Sequence, residues 1–142
     1  MTGEDLIGTW RLRSFAFTDE AVVVFHPLGE RPVGFVLISA DGYLALNFMA
    51  GDRSKFAADD LFGGDGWERA QAAAEVVSFA GPYEFDGTAV SVTVEYSVFP
   101  NWIGGTQVRQ VEISGDTLIL RTQGAHLFAG ARRQAEARLF RA

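Results

Sequence analysis

The sequence predicts an all-β fold: an up-and-down antiparallel barrel of eight or nine strands with one inserted helix. Three observations carry this. Period-two alternation recurs in run after run, short Asp-Gly or Ser-Gly-Asp turns separate the runs, and one alanine-rich interruption lies between Met49 and Gly81. Turns this short join antiparallel neighbours in a meander and leave no room for βαβ crossovers. One open sheet of so many strands would expose two long edges, and closing it into a barrel removes them.

The elements follow in order. Gly8-Thr9-Trp10-Arg11-Leu12-Arg13-Ser14-Phe15 alternates bulky and polar residues as a half-buried strand does. Val22 to Phe25 forms a second run, ended by His26-Pro27-Leu28-Gly29. Val33 to Ala40, the pair Asp41-Gly42 and Tyr43 to Met49 make the clearest hairpin, for which a type I′ turn is expected. Residues 51–66 read as an irregular loop. A helix over about 67–80 follows, with Asp65 as its N-cap and Glu68 as capping-box partner, alanines inside it, and Gly81-Pro82 as its stop. The loop and helix would either lid one barrel mouth or serve as a plain plug or strut. Tyr83 to Phe85 then leads through Asp86-Gly87 into Val90 to Phe99. Thr106 to Ile113 leads through Ser114-Gly115-Asp116 into Leu118 to Thr122, and Gln134 to Phe140 closes the chain.

The chain has 142 residues, 48% of them hydrophobic, which suits one domain over 1–142 with a core of its own. Twelve Lys and Arg against eighteen Asp and Glu give a net charge of −6, with the basic residues scattered except for Arg132-Arg133. That pattern argues against nucleic acid and against anionic membrane surfaces as partners. With no cysteine, disulfides, thiolate nucleophiles and thiolate metal sites are excluded. The acidic start, Met1-Thr2-Gly3-Glu4-Asp5, has no signal-peptide pattern and no apolar run approaches a membrane span, so a cytoplasmic protein is expected.

Three stretches carry a family resemblance: Leu6-Ile7-Gly8-Thr9-Trp10-Arg11-Leu12; Pro32-Val33-Gly34-Phe35 with Ala40-Asp41-Gly42-Tyr43; and Phe99-Pro100-Asn101-Trp102 with Gln107-Val108-Arg109. Together they resemble the bacterial and fungal lipocalin-like domain family, over nearly the whole chain. Gly8-Thr9-Trp10 is also similar to the Gly-x-Trp of true lipocalins, although their Thr-Asp-Tyr turn is missing. The resemblance implies a barrel with an internal cavity for an apolar small molecule, its floor closed by Trp10 against an arginine of the last strand, placed at Arg138. It implies no activity for most members, while some similar small barrels are cofactor-free cyclases or isomerases.

Strand parity suggests where chemistry would sit. Val90, Val92, Val94 and Tyr96 share one face of their strand, and Ser91, Thr93, Glu95 and Ser97 share the other. Either the valines face inward and Glu95 is solvated, or Glu95 and Ser97 line the lumen and Glu95 is a general acid or base of raised pKa. Arg109 shares parity with Val111 and Ile113, so an arginine stands on a predominantly apolar face. Three roles are open for it: a structural pair with Glu95, a catalytic pair with Glu95, or a fork holding a ligand carboxylate or enolate. Tyr43 and Asn47, on one face of their strand, and Tyr83 would orient a carbonyl by hydrogen bonds or serve the core; Trp102 would roof the cavity or pack a hairpin.

No cofactor is expected. His26 and His126 are the two histidines, both in loop-like contexts, so a metal site is not expected, and neither a phosphate loop nor a hydrolytic triad can be read. The leading expectation is a container for an apolar small molecule, in a monomer or homodimer, with Phe35, Tyr43, Asn47, Tyr83, Tyr96 and Trp102 as ligand-binding residues. The alternative is a cofactor-free cyclase or isomerase of polyketide or terpenoid biosynthesis, with Glu95 and Arg109 as its catalytic pair and preorganisation supplying the rate. A third reading is an assembly partner whose barrel is filled.

Overall fold

Eight strands pair in a ring in the computed structural model, which describes residues 2–20 and 22–142, with the backbone alone at Val24. Met1 and Ala21, both inside the expected domain 1–142, lie outside the described residues. The ring consists of β1 (Gly8–Asp19), β3 (Val33–Ile38), β4 (Tyr43–Met49), β5 (Val76–Phe85), β6 (Ala89–Thr93), β8 (Thr106–Ser114), β9 (Thr117–Thr122) and β11 (Ala131–Arg141). It closes where β1 pairs antiparallel with β11, from Trp10 opposite Arg141 to Thr18 opposite Gln134. Three short strands, β2 (Val22–Phe25), β7 (Tyr96–Ser97) and β10 (His126–Phe128), extend β1, β5 and β11.

The two ends of the barrel differ. At one end the connections are tight and the chain seals itself with the short helix α1 (Gly3–Leu6). Trp10 and Leu6 are fully buried, and the Trp10 indole Nε1 donates to the Leu6 carbonyl at 2.8 Å. The Arg141 guanidinium lies 4.1 Å over the indole and donates to the carbonyls of Ile7 and Asp5. The arginine of the last strand that meets Trp10 is thus Arg141, not Arg138. Trp10 pairs with Arg141 across the closing seam, whereas Arg138 bonds Glu136 and is exposed. At the other end the connections are long, and they include helix α2 (Gly66–Ala74) and a 3-10 turn at Pro100–Trp102.

Several boundaries differ from expectation. The helix ends at Ala74 instead of residue 80 because Val76-Val77-Ser78-Phe79 pairs with β4 and fully buries Phe79, which a helix would not do. Gly81 and Pro82 therefore lie within β5. Ala80 pairs with Tyr96 and Tyr83 with Val92, so two residues of β5 oppose the three from Thr93 to Glu95, a β-bulge that tolerates a proline without an N–H. The same bulge splits the expected strand Val90 to Phe99 into β6 and β7. The turn at Asp41-Gly42 is not type I′: Gly42 alone has positive φ, at 98°, and its N–H donates to the Ser39 carbonyl. This is a type I turn closed by a left-handed glycine. The Asp65 and Glu68 capping box forms as read, Glu68 N–H donating to Asp65 at 2.8 Å.

Candidate functional site

Alternation sends Val90, Val92 and Val94 of β6, Leu44, Leu46 and Phe48 of β4, and Leu118 and Leu120 of β9 into the barrel, each nearly or fully buried. On β1 the period breaks once. A register shift between Leu12 and Ser14 carries the inward set from Trp10 and Leu12 to Phe15 and Phe17. Phe15 packs on Phe48, and Phe17 on Phe25 and stacked Phe128, with ring centroids 5.0–5.5 Å apart. Small Ala135 and Ala137 stand opposite on β11.

Where aromatic residues meet alanines, the side chains do not fill the lumen. A cavity of about 500 Å³ remains toward the long-loop end. That is within the size range of small-molecule sites. Phe15, Phe17, Phe48, Leu46 and Val77 form much of its wall, and Phe99, Trp102 and Ala74 stand at its rim. Trp102 is held edge-on between Phe79 and Phe99. The polar lining side chains, Gln107, Arg109, Thr122 and His126, all come from β8, β9 and β10. Thr122 faces Arg109 across the β8–β9 pair.

Arg109 dominates the electrostatics. Its guanidinium lies 5.3 Å over the Phe79 ring, and Nη1 donates to the Gln107 side-chain oxygen at 3.1 Å and the Val108 carbonyl at 3.0 Å. Loss of hydration pushes its pKa down to about 10. Among the described residues no carboxylate lies within ion-pair distance of it.

The structure separates the residues expected to act together. Arg109 and Trp102 border the cavity. Glu95 is exposed beyond the bulge and makes no pair with Arg109, because Val94 takes the inward position. Tyr43 is 52% exposed on the outside of β4, and Asn47 shares that outer face, where it accepts from Ser78. Phe35 lies under Arg11 in a shallow outer groove that also holds Asn47 and Tyr96. Tyr83 packs against the core at the sealed end and donates to the Ser39 carbonyl. Period two assigns faces in pairs, and on β4 the inner set is Leu44, Leu46 and Phe48, which leaves Tyr43 and Asn47 outside. Gln107 was legible as a lumen residue, since it shares parity with Arg109. Phe17 was not, because the β1 bulge has no local sequence mark.

A family model described as a lipocalin-like domain matches residues 7–140, and the chain belongs to that family. No curated protein matches it. Among solved structures, it is similar to a lipocalin-like protein from Bacteroides uniformis ATCC 8492, at 17% identity and TM-score 0.47, over 97% of this chain and 99% of that one. An uncharacterized protein from Bacteroides eggerthii DSM 20697 is similar at 15% identity and TM-score 0.45, over 96% and 98% of the two chains. A lipocalin-like barrel suggests ligand binding in general. No helix among the described residues is long and apolar enough to cross a membrane.

Proposed function

We propose that the protein binds a small, predominantly apolar molecule inside the barrel. The observation that carries this is the cavity of about 500 Å³ between the aromatic wall and the alanines of β11, reached from the long-loop end. Transfer of an apolar molecule from water to such a wall is favourable by about 25 cal/mol for each Å² buried. The binding set is Phe15, Phe17, Phe48, Trp102 and Arg109, in place of the outward Phe35, Tyr43, Asn47 and Tyr96. Titration with the neutral fluorophore N-phenyl-1-naphthylamine tests the reading. Saturable one-to-one enhancement is expected, and Ala137→Phe, which grows into the lumen, is expected to abolish it while far-UV circular dichroism stays native. Absence of binding to the wild type would overturn the proposal.

The second reading is a cofactor-free cyclase or isomerase working in the same cavity, and the placement of Arg109 favours it. A guanidinium with open donors stabilises negative charge that develops on a carbonyl oxygen in the transition state. Glu95 takes no part in this version, since it faces outward, and Arg109 would act on a cyclisation in which bonds reorganise within one substrate and the protein takes up no proton. A rate lost in Arg109→Met and unchanged in Glu95→Gln supports it, and equal loss in both overturns it.

A further inference from the structure

Resting on the reading of the lumen as a binding site, we propose that its ligand is an apolar carboxylic acid, seated with its carboxylate on Arg109 and its carbon body against Phe15 and Phe48. Three independent observations converge on this.

The first is an open edge on a partly buried cation. Arg109 spends Nη1 on Gln107 and Val108, while Nε and Nη2 have no acceptor among the described residues. No buried side-chain nitrogen or oxygen of the described residues is left unsatisfied, so these donors open onto the cavity. The Nε and Nη2 edge presents two parallel N–H groups, the geometry that takes a carboxylate in a bidentate fork. Gln107, whose oxygen is engaged by Arg109, keeps its amide N–H groups as further donors beside it.

The second is charge. The chain carries a net charge of −6, yet among the described residues no Asp or Glu lines this cavity and Arg109 is the one arginine or lysine that does. A single guanidinium away from bulk water matches one negative charge. A monoanion neutralises it, whereas a phosphate dianion would leave a surplus charge in an apolar lumen. The third is polarity. The polar side chains occupy the β8 to β10 wall and the aromatic ones face it from β1 and β4, so the cavity fits a molecule with one polar end and an apolar body.

The test is displacement of N-phenyl-1-naphthylamine by dodecanoic acid, methyl dodecanoate and dodecyl phosphate, in the wild type and in Arg109→Met. In the wild type the acid is expected to displace the reporter at a concentration roughly tenfold or more below that of the ester, the gain of a charge-assisted hydrogen-bonded pair. Arg109→Met is expected to lower the affinity for the acid by roughly tenfold or more and so to lose the preference for acid over ester, each measured against the reporter's own affinity for that variant. Equal displacement by acid and ester in the wild type, or a preference that survives in Arg109→Met, overturns the carboxylate assignment and leaves the container reading intact. Strongest displacement by dodecyl phosphate overturns the choice of a monoanion. Failure of the reporter itself to bind the wild type overturns the container reading and this inference with it. The acid-against-ester comparison needs no variant, so a misfolded Arg109→Met would not shield the proposal.

Discussion

The guanidinium of Arg109 opposes folding, since leaving bulk water disfavours its charged form and no carboxylate among the described residues compensates. Its pKa is lowered to about 10, so the penalty is present below about pH 10 and fades as pH rises from there toward the ordinary arginine range. Replacing it by the uncharged, similarly long Met is expected to raise stability at pH 7 by about 1–3 kcal/mol. That corresponds to a Tm gain of about 2–4 °C per kcal/mol in a chain of this size. Thermal melts of Arg109→Met check this. The opposite sign would show that the contacts to Phe79 and Gln107 outweigh desolvation. A charged group held away from bulk water without a carboxylate partner is one expected at a functional site. Its inward direction was legible from its parity with Val111 and Ile113. The absence of a partner was not, because strand parity leaves Glu95 either in the lumen or in solvent, and only the burial of Val94 decides for solvent.

Among the elements, β5 departs most from expectation, and it departs at Gly81. A Cβ there would overlap the Thr93 carbonyl, which the bulge brings against β5. Gly81→Ala is expected to destabilise by about 2–4 kcal/mol through strain and broken pairing. Urea melts measure it, and a loss below about 0.5 kcal/mol would show that the bulge relaxes freely. The bulge matters to the cavity because it splits β6 from β7 and releases the chain that carries Phe99 and Trp102 to the rim. Helix α2 makes a different case. Its capping box is legible in Asp65 and Glu68, yet it buries no residue fully and leaves Trp67 exposed. Ala74 at its end reaches the cavity. Gly81-Pro82 reads as a helix stop because glycine and proline end helices by local chemistry, and the same pair suits a bulged strand by tertiary pairing.

For the barrel as a whole, closure depends on the seam of β1 with β11 and on the strands beside it. Outside the wall, Arg121 of β9 bridges Glu112 of β8 and Glu136 of β11, and Arg138 also bonds Glu136. Burial works to raise the Glu136 pKa, and the hydrogen bonds from Arg121 and Arg138 outweigh it, holding the carboxyl below its ordinary 4.5. A depressed carboxylate pKa adds stability that is fully present above about pH 4.5 and lost as pH falls through the folded value. Glu136→Gln is expected to cost up to about 1 kcal/mol at pH 7, the range of partly exposed pairs. The gap from wild type is expected to narrow as pH falls below 4.5 and to close once pH is below the folded value. A gap independent of pH in denaturant melts would assign the effect to packing.

Local chemistry determined the class of this protein. Alternating runs and turn residues specify antiparallel strands, and their number favours closure, so the barrel and its lipocalin-like kinship were readable residue by residue. The valines of β6, the hairpin positions and the cap of α2 depend on interactions within a few residues, which a sequence displays directly. Tertiary structure decided the rest of the cavity lining, beyond Arg109, Gln107 and Trp102. The bulge in β1 that turns Phe15 and Phe17 inward, the bulge opposite Gly81 that leaves Tyr96 outside although it shares parity with Val94, and the pairing that places Arg141 over Trp10 each depend on a partner strand. A one-residue shift in a strand exchanges its two faces. The occupants of the lumen are therefore set by register across the sheet, and a single strand does not encode the register of its neighbour.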